Sequence, residues 1–166
     1  MTASKVSFDG QVVVITGAAR GIGAATARLV AARGGKVFAL DIARDGLDAL
    51  QSELGLADNQ IKTMDLGSQE SVQGAISEIF ALTGRIDALI NTAGVVGPTN
   101  VKVEDVKWAD FESTVRINLF GAVWLTQAVI PFMKKAKYGR IAHVASIAGK
   151  EGNPGMTPYN VSKSGM

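Results

Sequence analysis

The 166-residue sequence contains no cysteine and a single histidine. The first absence excludes disulfides, thiolate nucleophiles and cysteine-ligated metals. The second makes a histidine-rich transition-metal centre untenable, so no metal site is expected. Aromatic residues are sparse at 6% and charged residues reach only 19%, against 47% hydrophobic, a balance that suits a globular core rather than a disordered tail. No uninterrupted apolar run is as long as a membrane span, and no membrane partner is expected. Met1 to Gly10 is polar with one lysine, which predicts that it is not a secretory signal. Seventeen basic residues against fifteen acidic ones leave a net charge of +2, too little for a nucleic-acid footprint. The one basic cluster, Lys134, Lys135, Lys137 and Arg140, follows an apolar helix and reads as a solvated helix end favoured by the dipole. A reducing, cytoplasmic setting fits this composition.

What the chain does have is glycine, 19 residues of it, and a regular alternation of short apolar runs with helical periodicity. Val12 to Ile15 and Val37 to Leu40 are continuous apolar runs, as in strands buried on both faces. Between them Ile22, Ala25, Leu29 and Val30 repeat at helical spacing, and Gly34-Gly35 closes that helix. A second helix runs from about Arg44 to Leu54, with Leu47, Leu50 and Leu54 on one stripe. Ile61 to Met64 predicts a third strand. Ser68 is a candidate N-cap for a helix whose buried stripe is Val72, Ile76, Ile79 and Phe80 and which ends at Gly84. Strand four spans Ile86 to Ile90, a long helix about Asp105 to Lys135, and strand five Ile141 to Ala145. A short helix follows near the end. Strands alternating with helices imply one domain over residues 1–166. It would be a doubly wound parallel α/β sheet of order 3-2-1-4-5, with its ligand beyond the carboxyl ends of the strands. His143, inside strand five, reads as a satisfied core residue. Leu119, Phe120, Val123, Trp124, Leu125, Val129 and Ile130 make the long helix apolar on nearly every side, which predicts burial against a second subunit or against neighbouring helices; we expect a homo-oligomer.

Two constellations carry chemistry. Thr16-Gly17-Ala18-Ala19-Arg20-Gly21-Ile22-Gly23 lies between a buried strand and an amphipathic helix. A diphosphate needs backbone amides free of side chains and a helix N-terminus aimed at it, and Gly17, Gly21 and Gly23 provide both. Asp41 ends strand two, 18 residues after Gly23. A carboxylate there accepts ribose hydroxyls and repels a 2′-phosphate, which favours NAD over NADP. Arg20 and Arg44 pull mildly the other way. The second constellation is Tyr159 and Lys163, four apart and so on one helical face, with Thr157 as a candidate cap and Pro158 at the first position. A phenol titrates near pH 10, and an ammonium close by favours the phenolate.

With Asp65, Asn91-Thr92-Ala93-Gly94, Asn118, Ser146 and Tyr159-Asn-Val-Ser-Lys163 following the glycine turn in order and register, the chain resembles the short-chain dehydrogenase/reductase family, which has the Rossmann fold. The resemblance implies an NAD(H)-dependent oxidoreductase that interconverts a secondary alcohol and a ketone. Tyr159 would be the general acid–base, Lys163 would hold the nicotinamide ribose and tune the tyrosine, Ser146 would orient the substrate oxygen and Asn118 would bend the long helix and hold a water. Gly17, Arg20, Gly21, Ile22, Gly23, Asp41, Asp65, Leu66, Asn91, Ala93 and Gly94 would bind the cofactor together with Tyr159 and Lys163. Asp65 would meet the adenine and Asn91 to Gly94 would line the floor. The family's usual Asn-Asn-Ala-Gly has Thr92 at its second place. The stretch Ala145 to Pro154 resembles the branch of 3-oxoacyl-thioester reductases and related alcohol or sugar-alcohol dehydrogenases. The family pattern continues beyond Met166 with further strands, a substrate loop and a nicotinamide-binding proline-glycine stretch. A chain without them is expected to have an incomplete sheet edge, to bind NAD weakly and to turn over little. The alternative expectation is a non-catalytic dinucleotide-binding fragment or scaffold.

Overall fold

The computed structural model describes residues 7–166; the Met1–Val6 part of the polar N-terminal stretch lies outside the described residues. Five parallel strands, β1 (Val12–Thr16), β2 (Lys36–Asp41), β3 (Ile61–Thr63), β4 (Ala88–Asn91) and β5 (Arg140–His143), form one sheet in the order β3-β2-β1-β4-β5. The expected order and parallel pairing are both met. Helices α1 (Gly21–Ala31) and α2 (Arg44–Leu54) lie between successive strands, as do α3 (Gln69–Thr83) and the long helix after β4. The last helix, α6, is Thr157–Ser164.

Strand residues alternate faces, and at β1 and β2 both faces are covered. Val12, Val14, Phe38, Leu40 and Leu89 pack with Val72, Ile76 and Ile79 of α3 and with Leu125, Val129 and Met133 of the long helix. Val13, Ile15, Val37 and Ala39 face the other way, onto Ala24, Ala27 and Val30 of α1 and Leu47 and Leu50 of α2. All five residues of β1 are buried, which explains the unbroken apolar run. Each such Val or Ile contributes about 1.5–3 kcal/mol through burial.

The helix boundaries follow their capping chemistry. The Ser68 hydroxyl accepts the Ser71 N–H at 3.2 Å and starts α3, and Gly84 ends it at φ 68°. Gly55 does the same for α2 at φ 64°, where L-residues pay a steric penalty. Three expectations need correction. The buried stripe of α1 is Gly23, Ala24, Ala27 and Val30, while Ile22 and Leu29 are 62% and 48% exposed and Ala25 is exposed. Size rather than hydropathy decides at its start, where Gly23 lies against the Gly17 turn with no room for a Cβ; Val30 is buried about two turns further on. Thr157 is the first residue of α6, and no side chain caps that helix. The long helix begins at Trp108, and it is not regular: α4 (Trp108–Val115) passes through a π-helical turn, Arg116–Phe120, into α5 (Gly121–Ala136).

Although the sequence has no uninterrupted apolar run of that length, Trp108–Ala136 is, among the described residues, long and apolar enough to cross a bilayer by length and composition. Its apolar character instead divides between two surfaces. Leu125, Val129 and Met133 enter the core against α3, while Phe120, Val123 and Ile130 are exposed. β5 forms one edge of the sheet, with Arg140, Ile141 and Ala142 exposed.

Candidate active site

The carboxyl ends of β1, β2, β3 and β4 open onto a cleft of about 290 Å³. Its shape starts at Gly17, which has φ 71°; a Cβ there would stand 2.7 Å from the Ala93 nitrogen. A Cβ on Gly23 would collide with the Gly17 carbonyl and lie 2.7 Å from the Thr92 hydroxyl. The turn therefore lies directly on the strand-four loop, and α1 directly on the turn. Arg20 occupies the N-cap position of α1 without a side-chain capping bond. The helix thus leaves its first-turn N–H groups without a side-chain acceptor, as an anion-binding helix N-terminus requires.

Asp41 faces this turn at the end of β2. One carboxylate oxygen accepts the Ala19 N–H at 3.0 Å and the other the Ala43 N–H at 3.0 Å. Its charge is thereby fixed in place, and it ties the glycine turn to the end of β2. Gly17, Arg20, Ile22, Gly23, Asp41, Asp65, Leu66, Ala93 and Gly94 all line the cleft. Gly21, at φ 54° in the first turn of α1, does not line it. Neither does Asn91, whose side chain is buried beneath the floor: Oδ1 accepts the Thr16 hydroxyl at 2.6 Å and Nδ2 meets His143 Nδ1 at 3.1 Å. Thr92 of the Asn91–Gly94 floor lines it too, and Leu40, Ile42, Met64, Val95 and Ile117, which were not anticipated from the sequence as cleft residues, complete the lining. Ile42 directly follows Asp41 and Ile117 directly precedes Asn118, so position next to a motif residue was the available signal. A cleft with a glycine-only turn, an uncapped helix N-terminus and a fixed carboxylate suits a dinucleotide: amides for the diphosphate, an acid for a ribose diol, and apolar Ile42 and Leu66 for a base.

A second cluster gathers where the π-helical turn meets α6. Asn118 is fully buried; Oδ1 accepts the Val95 N–H at 2.8 Å, and Nδ2 donates to the Val95 carbonyl at 2.8 Å and the Ser162 hydroxyl at 2.9 Å. Ser162 in turn donates to the Tyr159 carbonyl at 2.8 Å. A Cβ on Gly94 would stand 2.9 Å from Asn118 Oδ1 and 3.7 Å from Lys163 Nζ, so the cleft floor and the lysine are neighbours. Lys163 is only 8% exposed. Its Nζ donates to the Val144 carbonyl at 2.8 Å and lies 5.9 Å from the centre of the Tyr159 ring. Burial lowers its pKa. Ser146 begins a 3₁₀ turn, Ile147–Gly149, and its hydroxyl accepts the Ala148 N–H at 3.2 Å. That turn is fastened to α6 by the Ser164 hydroxyl, which donates to the Gly149 carbonyl at 2.7 Å. The fold thus brings Asn118, Lys163 and the tyrosine's helix together and places Ser146 on the adjoining turn. Among the described residues, no hydrogen bond joins the Tyr159 hydroxyl to Ser146 or Lys163.

Residues 11–166 match the family described as short chain dehydrogenase. The chain belongs to this family. Among curated relatives it is 36% identical over 159 residues to a 2-dehydro-3-deoxy-L-rhamnonate dehydrogenase (NAD(+)) of Sphingomonas sp., covering 96% of this chain and 63% of the relative. It is 36% identical over 163 residues to a 3-oxoacyl-(acyl-carrier-protein) reductase of Thermotoga maritima, covering 96% and 65%. Among solved structures, NAD+-bound xylitol dehydrogenase superposes with a TM-score of 0.85 at 35% identity, over 95% of this chain and 61% of that one. A metagenomic short-chain oxidoreductase in complex with NADP superposes with a TM-score of 0.90 at 33% identity, over 96% and 73%. The chain therefore spans just under two thirds of the length of these curated relatives.

Proposed function

We propose that this short-chain dehydrogenase uses NAD(H) to interconvert a secondary alcohol and a ketone, with a 3-oxoacyl or sugar-alcohol type of substrate. The observation that carries the cofactor reading is the Asp41 carboxylate, held by two backbone amides on the wall of the cleft. An acid so placed accepts ribose hydroxyls and opposes a 2′-phosphate, whereas Arg20, on the same wall, is exposed and free to point away. Gly17 and Gly23 would leave room for the diphosphate, Asp65 and Leu66 would meet the adenine, and Ala93 and Gly94 would form the floor.

Bound NAD(H) supplies the hydride donor or acceptor. The chain's own residues do the rest. The Tyr159 hydroxyl gives a proton to the substrate oxygen, or takes one from it. Ser146 donates a second hydrogen bond where negative charge develops, so both act in the transition state. Lys163 holds the nicotinamide ribose and keeps a positive charge near the phenol. Asn118, whose polar atoms bond Val95 and Ser162, steadies the helix that carries Tyr159 and positions a water for proton exchange.

The exposed face of the long helix, with Phe120, Val123 and Ile130, favours a homo-oligomer, and we place the activity in the cytoplasm, where dissolved NAD(H) is at hand. A second reading, a dinucleotide-binding fragment or scaffold without turnover, draws on the cleft lining, which offers a dinucleotide its contacts without Ser146, Tyr159 or Lys163. An NADH- and NADPH-coupled assay over a panel of ketones and alcohols, with the Tyr159→Phe variant in parallel, separates the two. Turnover that prefers NADH and falls in the variant supports the enzyme. Dinucleotide binding with no turnover in either form supports the scaffold.

A further inference from the structure

The last residues of three neighbouring strands lie in one register row: Thr16 of β1 pairs with Asn91 of β4, and Asn91 with His143 of β5. A polar chain runs along this row. The Thr16 hydroxyl donates to Asn91 Oδ1 at 2.6 Å, Asn91 Nδ2 meets His143 Nδ1 at 3.1 Å, and His143 Nε2 meets the Thr126 hydroxyl at 2.9 Å. Thr126 donates to the Ala122 carbonyl one turn earlier in α5, at 2.8 Å. These partners dictate the proton positions. The Thr126 hydrogen is spent on Ala122, so the hydroxyl accepts from His143 Nε2–H. Asn91 already accepts from Thr16 through Oδ1, so its amide donates to an unprotonated Nδ1. One proton on the ring satisfies every member.

A second ring proton would set the Nδ1–H against the Asn91 NH₂. Relief requires the Asn91 amide to turn over, which brings its NH₂ to the Thr16 oxygen, reverses that bond and leaves the buried Thr16 hydroxyl hydrogen without its acceptor, or requires the ring to leave. Either movement disturbs the residues next in sequence: Gly17 follows Thr16, the floor Thr92–Gly94 follows Asn91, and Val144, whose carbonyl holds Lys163 Nζ, follows His143. We propose that His143 is a positioning residue which, as a singly protonated ring, holds the Thr16–Asn91 link beneath the cofactor cleft, so that the cleft binds dinucleotide more weakly when the ring takes a second proton. This rests on the dinucleotide reading of the cleft given above.

The surroundings act in the required direction. Asn91 faces the ring from β4 and Thr126 from α5, with Gln127 and Met166 beside it; the charged group that acts on it is the Lys163 ammonium of α6, held on the Val144 carbonyl next in sequence. Burial, and secondarily the Lys163 charge, lower the pKa of His143 from its usual 6.5. Native protein therefore resists a proton that the unfolded chain accepts, and the stability difference is fully present above about pH 6.5 and is lost as the pH falls through the native pKa.

Because the 166-residue sequence has one histidine, its ring protons can be followed without ambiguity. The untagged chain is titrated between pH 8 and pH 5 by proton NMR, with and without saturating NADH. Binding is expected to move the midpoint of His143 downward, by about one pH unit for each tenfold preference of the cofactor for the singly protonated state. In parallel, the NADH Kd is measured over the same range for the wild type and for His143→Asn, which can accept from Asn91 but cannot titrate. The wild type should weaken more steeply toward pH 5 than the variant, and the two should agree within about threefold at pH 8. Where His143→Asn fails to fold, the NMR midpoint alone decides. NADH binding with an unmoved midpoint, or equal pH slopes in both proteins, overturns the proposal while leaving the cofactor reading intact. No NADH binding at any pH overturns both.

Discussion

Replacing Asp41 by asparagine tests the cofactor assignment most directly, because the change keeps the side chain's shape and removes its charge. In an open cleft the effective dielectric lies between that of a protein surface and that of water, so unit charges about 4 Å apart interact by about 1–4 kcal/mol. A 2′-phosphate carries about 1.5–2 negative charges, which gives a penalty against NADP of at least about 1.5 kcal/mol, or about tenfold in Kd. Asp41→Asn should remove that discrimination. It should also loosen the glycine turn, because an NH₂ must now face the N–H of either Ala19 or Ala43, and an unsatisfied donor costs about 1–3 kcal/mol. That second effect acts on both cofactors and cancels in their ratio. The measurement is therefore the ratio of Kd for NADPH to Kd for NADH in wild type and variant, by fluorescence titration at fixed ionic strength. A wild-type preference for NADH that collapses by about tenfold or more supports the electrostatic account. A ratio unchanged by the substitution refutes it and shifts the selection of cofactor to Arg20.

Further outcomes follow from single contacts. Gly23→Ala puts a Cβ against the Gly17 carbonyl and Thr92; losing even one amide–phosphate bond, about 1.5–3 kcal/mol, should weaken NADH binding by at least about tenfold in the same titration. Tyr159→Phe should lower turnover by at least about 100-fold while leaving the NADH Kd within about threefold, and substantial residual turnover would exclude the phenol as acid–base. Leu125→Ala, at a fully buried position between the sheet and α3, should cost about 2–5 kcal/mol in urea unfolding.

The centre of the sheet was legible because both its faces are buried: β1 and β2 contain the unbroken apolar runs Val12–Ile15 and Val37–Leu40, and β1 is buried at every position. Ser68, Gly84 and the limits of α2 were legible because caps and left-handed glycines act locally. The packed face of α1 was not. Ile22, Ala25 and Leu29 satisfy the helical spacing of apolar residues, but the close contact of Gly23 with the Gly17 turn sets which face of α1 packs, and Ile22, Ala25 and Leu29 fall on the outer one. The π-helical turn carries no periodicity signal at all, since its cause is tertiary: Asn118 bonds both backbone groups of Val95, 23 residues earlier in the chain. The same applies beneath the cleft. Asn91 stands in a motif that faces the cofactor, yet its partners, Thr16 and His143, lie 75 and 52 residues away and become neighbours only through strand order.

Strand order also explains why the cleft lies where it does. Thr16, Asn91 and His143 end their strands in one row, and apolar residues fill the positions below it. A polar row at this level satisfies its members across the strands, so the core below stays dry, and the chain above is released into loops at a common height. Gly17 comes one residue after the row, Thr92 to Gly94 one to three after it and Ser146 three after it, while Asp41 closes β2 beside the same turn. The cleft and the α6 cluster are therefore outcomes of register. A one-residue slip of β4 against β1 would carry Asn91 away from Thr16 and turn its side chain to the other face. It would displace Ala93 from under Gly17 in the same movement.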